Sequence, residues 1–304
     1  MAKSQDDKDI FDRSFKQIMG SISSRAMVRF INGLFDSNHP LDSEVKRLNT
    51  EYIDKALKKR LCDETVSVGR TIYVIEEQTT DDANMAIRVF EYGYAQALHD
   101  KETQGRVIEL KFPRMIVLYL EALASTPDVL TVRLRFPDSS EHDFNVKTVK
   151  LLEYSVEELL ERGMAVLLPF YIVRLRKAAR NARTEEERGK AETDFKNLAL
   201  KLKEAIEGGT DENIFSEEDI ATLLERLFRL VKYVGEGYKS TTGVRKMIKK
   251  SLMGYGQVLV LKGERKGIKE GKLESARNAL KKGLSIEQVA EIVDIPTDEL
   301  KKRL

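Results

Sequence analysis

Proline placement divides this chain. All six prolines fall at Pro40, Pro113, Pro127, Pro137, Pro169 and Pro296, which leaves Phe170 to Ile295 without one. Proline breaks helix interiors and central strands, so the long proline-free stretch is open to continuous helix. The part before it mixes strand and helix signals. The expectation is a mixed α/β region followed by a mostly helical one.

Ile10, Phe11, Phe15, Ile18 and Met19 recur at helical spacing, and Ala26, Val28, Ile31 and Leu34 continue the pattern, so Asp9 to Phe35 reads as one or two helices. Glu64 to Val68 and Thr71 to Gln78 are rich in β-branched residues and flank Gly69-Arg70, which predicts a hairpin. Asp81 to Leu98 reads as a helix with Ala86, Val89, Phe90, Tyr94 and Ala97 on one face. Strand patterns return at Met115 to Tyr119, Leu130 to Phe136 and Phe144 to Val149, the last two joined by a Pro137-Asp138-Ser139-Ser140 turn. Helix then dominates from about Val156. Thr184 to Ile206 and Glu217 to Val234 are amphipathic, and Ser285 with Gln288 forms a capping-box pattern before Val289, Ala290 and Val293. The expected organisation is 1–180, 181–270 and 271–304.

Several function classes fall away on composition. The longest strongly apolar stretch, Ala165 to Val173, has nine residues, about half of what a membrane-spanning helix needs. Met1 to Ile10 is polar and acidic, unlike a secretory leader. A cytoplasmic, non-membrane protein is the expectation. One cysteine, Cys62, excludes an internal disulfide, and the three histidines (His39, His99, His142) are too far apart to make a paired ligand on one helix. The net charge of +2 conceals basic clusters at Val173 to Arg183 and Val244 to Lys272, which matter if the partner is a polyanion.

The hairpin carries the chemistry. Alternation puts Ile72, Val74, Glu76 and Gln78 on one face of its second strand and Tyr73, Ile75 and Glu77 on the other. Glu76 ends a run of core-type residues, where an ionised carboxylate needs a partner. Folding back around Gly69-Arg70 returns Asp63 to that end. Two carboxylates with a backbone carbonyl make a hard-oxygen site suited to Mg²⁺ or Mn²⁺, and an acid-x-amide tripeptide alone is a common one. Arg88 and Tyr92 lie one helical turn apart. Arg88 either supports the acids or pairs with Glu91 or Asp81 on the helix surface. Asp12 and Lys16 can reach the site from the first helix, or serve at its surface. Arg174, Arg176, Lys177, Arg180 and Arg183 can follow a DNA backbone, or form a solvated face.

Six stretches occur in an order that resembles the recombination-promoting nuclease (Rpn) family of transposase-like proteins. They are Asp12-Arg-Ser-Phe15-Lys16, Asp63 with Tyr73-Val-Ile-Glu76-Glu77-Gln78, Met85-Ala-Ile-Arg88-Val-Phe-Glu-Tyr92, Ser125-Thr-Pro-Asp128, Leu167-Leu-Pro169-Phe170 with Arg174-Leu-Arg176-Lys177, and a tail from Gly283 to Ile292. The resemblance implies a PD-(D/E)XK restriction-endonuclease-like fold, a small mixed sheet flanked by helices. It implies a Mg²⁺-dependent DNA endonuclease that promotes recombination, tied to mobile elements or defence. Carried over, Asp63 and Glu76 are the metal-binding carboxylates, the Glu77 carbonyl is a third ligand, and Gln78 stands where the superfamily has lysine. An amide orients water but cannot usefully take its proton, so a slow enzyme is expected. The tail is read as a helix-turn-helix reader with Thr297 to Leu304 as recognition helix, or as a lid or dimerisation element. The rival reading is a non-catalytic protein on the same scaffold that binds DNA or a second copy of the chain.

Overall fold

The structure, a computed structural model, describes residues 3–48, 51–53, 59–79, 82, 84–209, 215–238, 241–255, 272–280, 285–293, 295–297 and 300. It is α/β, with a mixed six-stranded sheet flanked by helices and a helical carboxy-terminal part. Two helices open the chain, α1 (Lys3–Ser21) and α2 (Ser24–Phe35). Ser23 separates them by capping α2, its Oγ accepting the Ala26 N–H at 3.2 Å. The strands are β1 (Val45–Arg47), β2 (Glu51–Ile53), β3 (Lys59–Leu61), β4 (Glu64–Val68) and β5 (Thr71–Gln78), then β6 (Glu102–Gln104), β7 (Val107–Glu109), β8 (Arg114–Tyr119), β9 (Val129–Arg135) and β10 (Glu141–Lys150). Helix α3 (Met85–His99) stands between β5 and β6.

Main-sheet order is β1-β4-β5-β8-β10-β9, while β2-β3 and β6-β7 form separate two-stranded ribbons. The hairpin β4–β5 turns through Gly69, at φ 58, and its ladder runs from Val68↔Thr71 to Glu64↔Ile75. β5, β8 and β10 are parallel neighbours, and α3 lies in the connection that parallel pairing requires. The three-residue β1 and both ribbons were not anticipated. Segments this short carry too few residues for a period-2 pattern and exist only because a partner strand pairs with them.

Alternation on β5 sorts the core. Val74 joins Val117, Tyr119 and Val146 under Met85, Val89 and Tyr92 of α3, with Cys62 beside them. Tyr73, on the opposite face, meets Phe35 of α2 edge-on at 4.7 Å between ring centres. Beyond the sheet come α4 (Val156–Glu161), α5 (Ala178–Asn181), α6 (Glu185–Gly208), α7 (Glu217–Val234) and α8 (Thr241–Gly254). The apolar run that is too short for a membrane is a buried 3₁₀ segment, Ala165–Leu175, packed against α4, α6 and α7. Among the described residues no helix is long and apolar enough to cross a membrane.

Two compact units result, Met1–Leu252 and Met253–Leu304. Residues 181–252 therefore share a unit with the sheet. Asp219 of α7, 1% exposed, accepts the Ser23 N–H at 2.6 Å and the Ser23 hydroxyl at 2.7 Å, tying the helical part to the α1–α2 junction. In the second unit, Ala276, Val289, Ala290, Val293, Ile295 and Leu300 form a core of their own. The Ser285–Gln288 capping box is present, with Gln288 N–H donating to Ser285 Oγ at 3.3 Å and Ser285 N–H to Gln288 Oε1 at 3.0 Å. Of the candidate recognition helix, 298–299 and 301–304 lie outside the described residues, as do 256–271 of the second basic cluster.

Gly33 sits where α2 crosses the loop after α4, and a Cβ there would stand 1.8 Å from the Arg162 carbonyl oxygen. Backbone cannot yield as a side-chain tip can. Gly33→Ala is expected to destabilise the first unit by about 1–3 kcal/mol, the range for overpacking, read as a lower denaturant midpoint with unchanged slope. An unchanged midpoint would mean that the two segments are not in this contact.

Candidate metal centre

The carboxyl end of β5 and the residue preceding β4 bring the acids together. The β4–β5 register returns Asp63 beside Glu76 and Glu77, and Asp63 Oδ2 accepts the Glu77 N–H at 2.7 Å. Helix α1 crosses that end and adds Asp12 and Lys16. The Lys16 ammonium lies 2.6 Å from Asp12 Oδ1 and 3.1 Å from Asp63 Oδ1. Asp12, Asp63 and Glu77 each bring a carboxylate oxygen within 4.8 Å of the others. This donor set is all oxygen, the kind hard divalent cations prefer.

Glu77 enters differently from expectation. Its carbonyl was the anticipated donor, yet its carboxylate is the group that joins the acids, held by the Thr79 hydroxyl at 3.3 Å. The cause is strand alternation, which aims Glu77 at the face opposite Glu76. Glu76 instead pairs with Arg88 of α3 through Oε1. Gln78 makes only a long contact, its Nε2 standing 3.5 Å from that same Oε1.

Glu76 is 1% exposed, and its Oε2 has no hydrogen-bond partner. An orphaned carboxylate oxygen inside a protein is costly and points to a missing proton or cation. Burial pushes the carboxyl pKa values of Asp63, Glu76 and Glu77 upward; the neighbouring Asp63 charge adds to the rise at both glutamates, while Lys16 opposes it at Asp63 and Arg88 at Glu76.

Arg88 thus pairs with one of the acids, Glu76. It also donates to Asp82 Oδ2 at 3.2 Å and to the Tyr92 hydroxyl. Burial works against its charge, but Glu76 and these contacts hold the guanidinium above its ordinary pKa. Asp81, the other surface partner considered, lies outside the described residues. Tyr92 is 3% exposed and sits in the α3-side core. Cys62 is also buried, and burial pushes its thiol up to about 12 against the Thr65 hydroxyl, so it is protonated near neutral pH and no nucleophile.

The basic stretch separates. Arg176 turns inward, paired with Glu121 and with its guanidinium 5.8 Å from the Phe11 ring centre. Its side chain is 12% exposed, which suits an anchor between α1 and the sheet better than a surface phosphate contact. Arg174 donates to the Tyr171 hydroxyl at 2.7 Å and, like Lys177, stands at the surface. Arg183 is exposed, and nothing is described of the Arg180 side chain.

Sequence reasoning missed Glu64. It is 6% exposed with Oε1 unpartnered, and burial raises it from 4.5 to about 7, opposed by Arg47 and reinforced by Asp63. The available signal was its position beside Asp63 at the head of the β-branched run Glu64 to Val68.

No protein-family model, no curated protein and no solved structure matches this chain.

Raised carboxyl pKa values set a sign for pH dependence. The folded form holds protons that the unfolded chain releases, so this contribution to stability is full below about pH 4.5 and is lost as pH rises through about 7 at Glu64. Without divalent ions the melting temperature should fall between pH 5 and pH 8, and Glu64→Gln should flatten part of that fall. Thermal melts across this range check it; a melting temperature that rises with pH would contradict it.

Proposed function

We propose that this protein is a Mg²⁺- or Mn²⁺-dependent endonuclease that hydrolyses phosphodiester bonds in DNA, on a PD-(D/E)XK-type core related to the recombination-promoting nucleases. The observation that carries this reading is the convergence of Asp12, Asp63 and Glu77 beside the buried Glu76, whose Oε2 is orphaned. The element order adds support. An antiparallel strand pair carries the acids, a helix follows, and after the β6–β7 ribbon the next strand of the main sheet, β8, returns parallel to β5.

Asp63 and Glu76, with Glu77 and Asp12 at the same sheet end, are the residues that would hold the ion. When bound, such an ion supplies charge neutralisation at a phosphoryl oxygen and a lowered pKa for water. Gln78 offers its amide to orient that water. Arg88 and Tyr92 fix Glu76. In the net reaction, the water oxygen bonds to phosphorus and one P–O ester bond breaks. The water proton passes to solvent, and the departing sugar oxygen takes one from solvent. Arg174 and Lys177 are proposed to bind the DNA backbone, with Arg176 bracing α1 behind them. A role in recombination, for a mobile element or in defence, in the cytoplasm and with a second copy of the chain as partner, belongs to the same reading.

One observation favours a non-catalytic scaffold instead. Lys16–Asp63 and Arg88–Glu76 are ion pairs that neutralise two of the acids without any metal. Plasmid nicking by the purified full chain decides between them. Mg²⁺- or Mn²⁺-dependent nicking should disappear with EDTA and fall by about 100-fold or more in Asp63→Ala and in Glu76→Ala, at or beyond the upper end seen when a group supporting a metal ligand is lost. Retarded DNA on a gel with no cleavage by the wild type would establish the binding protein.

A further inference from the structure

The cation opposite these acids comes from an unusual place. Lys16 lies on α1, not on the strand that carries Glu76 and Gln78. Its side chain is 40% exposed, while Asp63 below it is 9% exposed, so the ammonium stands at the solvent side of the acids. An ammonium has three N–H donors. Two point at Asp12 and Asp63, which leaves one for an acceptor approaching from solvent. Asp63 also shares its oxygens between two sides, Oδ1 toward Lys16 and Oδ2 toward the Glu77 N–H. That arrangement fixes the lysine relative to the acids.

Charge makes such a group necessary. Asp12, Asp63, Glu76 and Glu77 crowd one sheet end, and a phosphodiester is itself an anion. Even a divalent ion leaves the ionised acids in excess, so the substrate would meet net repulsion unless a protein cation faces it. Arg88 is committed to Glu76 and Asp82. Lys16, 40% exposed against 31% for Arg88, is the more open of the two cations that touch these acids among the described residues.

We propose that Lys16 is the phosphate-contacting residue of this site: its ammonium, held by Asp12 and Asp63, donates to a non-bridging oxygen of the scissile phosphodiester and supplies from α1 the positive charge that Gln78 lacks. This rests on the hydrolase reading. Lys16 stays protonated throughout and takes no proton from water. Its contribution is electrostatic, greatest as negative charge gathers on the phosphoryl oxygens.

Three measurements on the full chain test it, using Lys16→Met, Lys16→Gln and Lys16→Arg. The glutamine keeps an N–H donor toward the acids and guards against a misfolded methionine variant. Binding of a labelled DNA duplex is measured by anisotropy in Ca²⁺ over a range of salt concentrations. Mn²⁺ binding is read from the signal of free Mn²⁺, and nicking is assayed at saturating Mg²⁺. Expected in Lys16→Met and Lys16→Gln are kcat lower by about 100-fold, the loss typical of one transition-state donor, and a salt slope shallower by about one. Mn²⁺ binding should hold or tighten, and Lys16→Arg should recover part of the rate. Wild-type nicking and an unchanged salt slope in Lys16→Gln would overturn the inference while the hydrolase reading stands. Loss of Mn²⁺ binding in Lys16→Gln would overturn it too, making Lys16 a spacer for the ligands. If the wild type does not cleave in Mg²⁺ or Mn²⁺, the hydrolase reading falls and this inference with it.

Discussion

The register of one hairpin governs the acidic site. Gly69 permits a tight return between β4 and β5, and Glu64 then faces Ile75. Asp63 is thereby brought within hydrogen-bonding distance of the Glu77 backbone. A slip of one residue would exchange the faces of β5, sending Glu77 toward α3 and Glu76 toward α1. Both acids would lose their partners, and Tyr73 would leave its contact with Phe35. The apolar alternation that buries Val74 on one side and Tyr73 on the other is what forbids that slip. The same pattern that makes the core also aims the acids.

Burial explains why these acids are interesting. A carboxylate on the surface keeps its charge at little cost because water solvates it, but Glu76 and Glu77 are 1% and 4% exposed. Each must be paired, protonated or bound to a cation. Arg88 and Thr79 meet part of that need, and the orphaned Glu76 Oε2 marks what is left over. Among the described residues of the sheet, the buried acids gather at this one end.

Much of this was legible in the sequence where local rules suffice. Glu64–Val68, Thr71–Gln78 and Glu217–Val234 fall at the residues that β-branching, the Gly69-Arg70 turn and amphipathic spacing mark. The α/β first half and the helical second half follow from proline placement and periodicity, whereas the mixed sheet flanked by helices was what the family resemblance implied. Two things were not legible. β1 has three residues and is a strand only because Arg47 pairs across from Val66. The reach of Asp12 and Lys16 to the acids was one of two readings open to the first helix; what decides it, and brings in the Glu77 carboxylate, is how α1 crosses the sheet, which no spacing encodes. Glu77 is the instructive case, because alternation already separated its side chain from Glu76 and only the position of α1 was missing to give that side chain a role.

α1 also has a second allegiance. On the side away from the acids, Phe11 meets Tyr233 of α7 edge-on at 6.0 Å between ring centres, Gln17 is bonded by Arg226, and Asp219 grips Ser23 just past the helix end. The helix that carries Asp12 and Lys16 is thus set in place by residues 196 or more positions downstream of their partners. The sheet and its acids are therefore not a detachable cassette. Cutting the chain near residue 180 would leave α1 with one of its two supports, and recombining this sheet with a foreign helical half would require rebuilding the far side of α1 first.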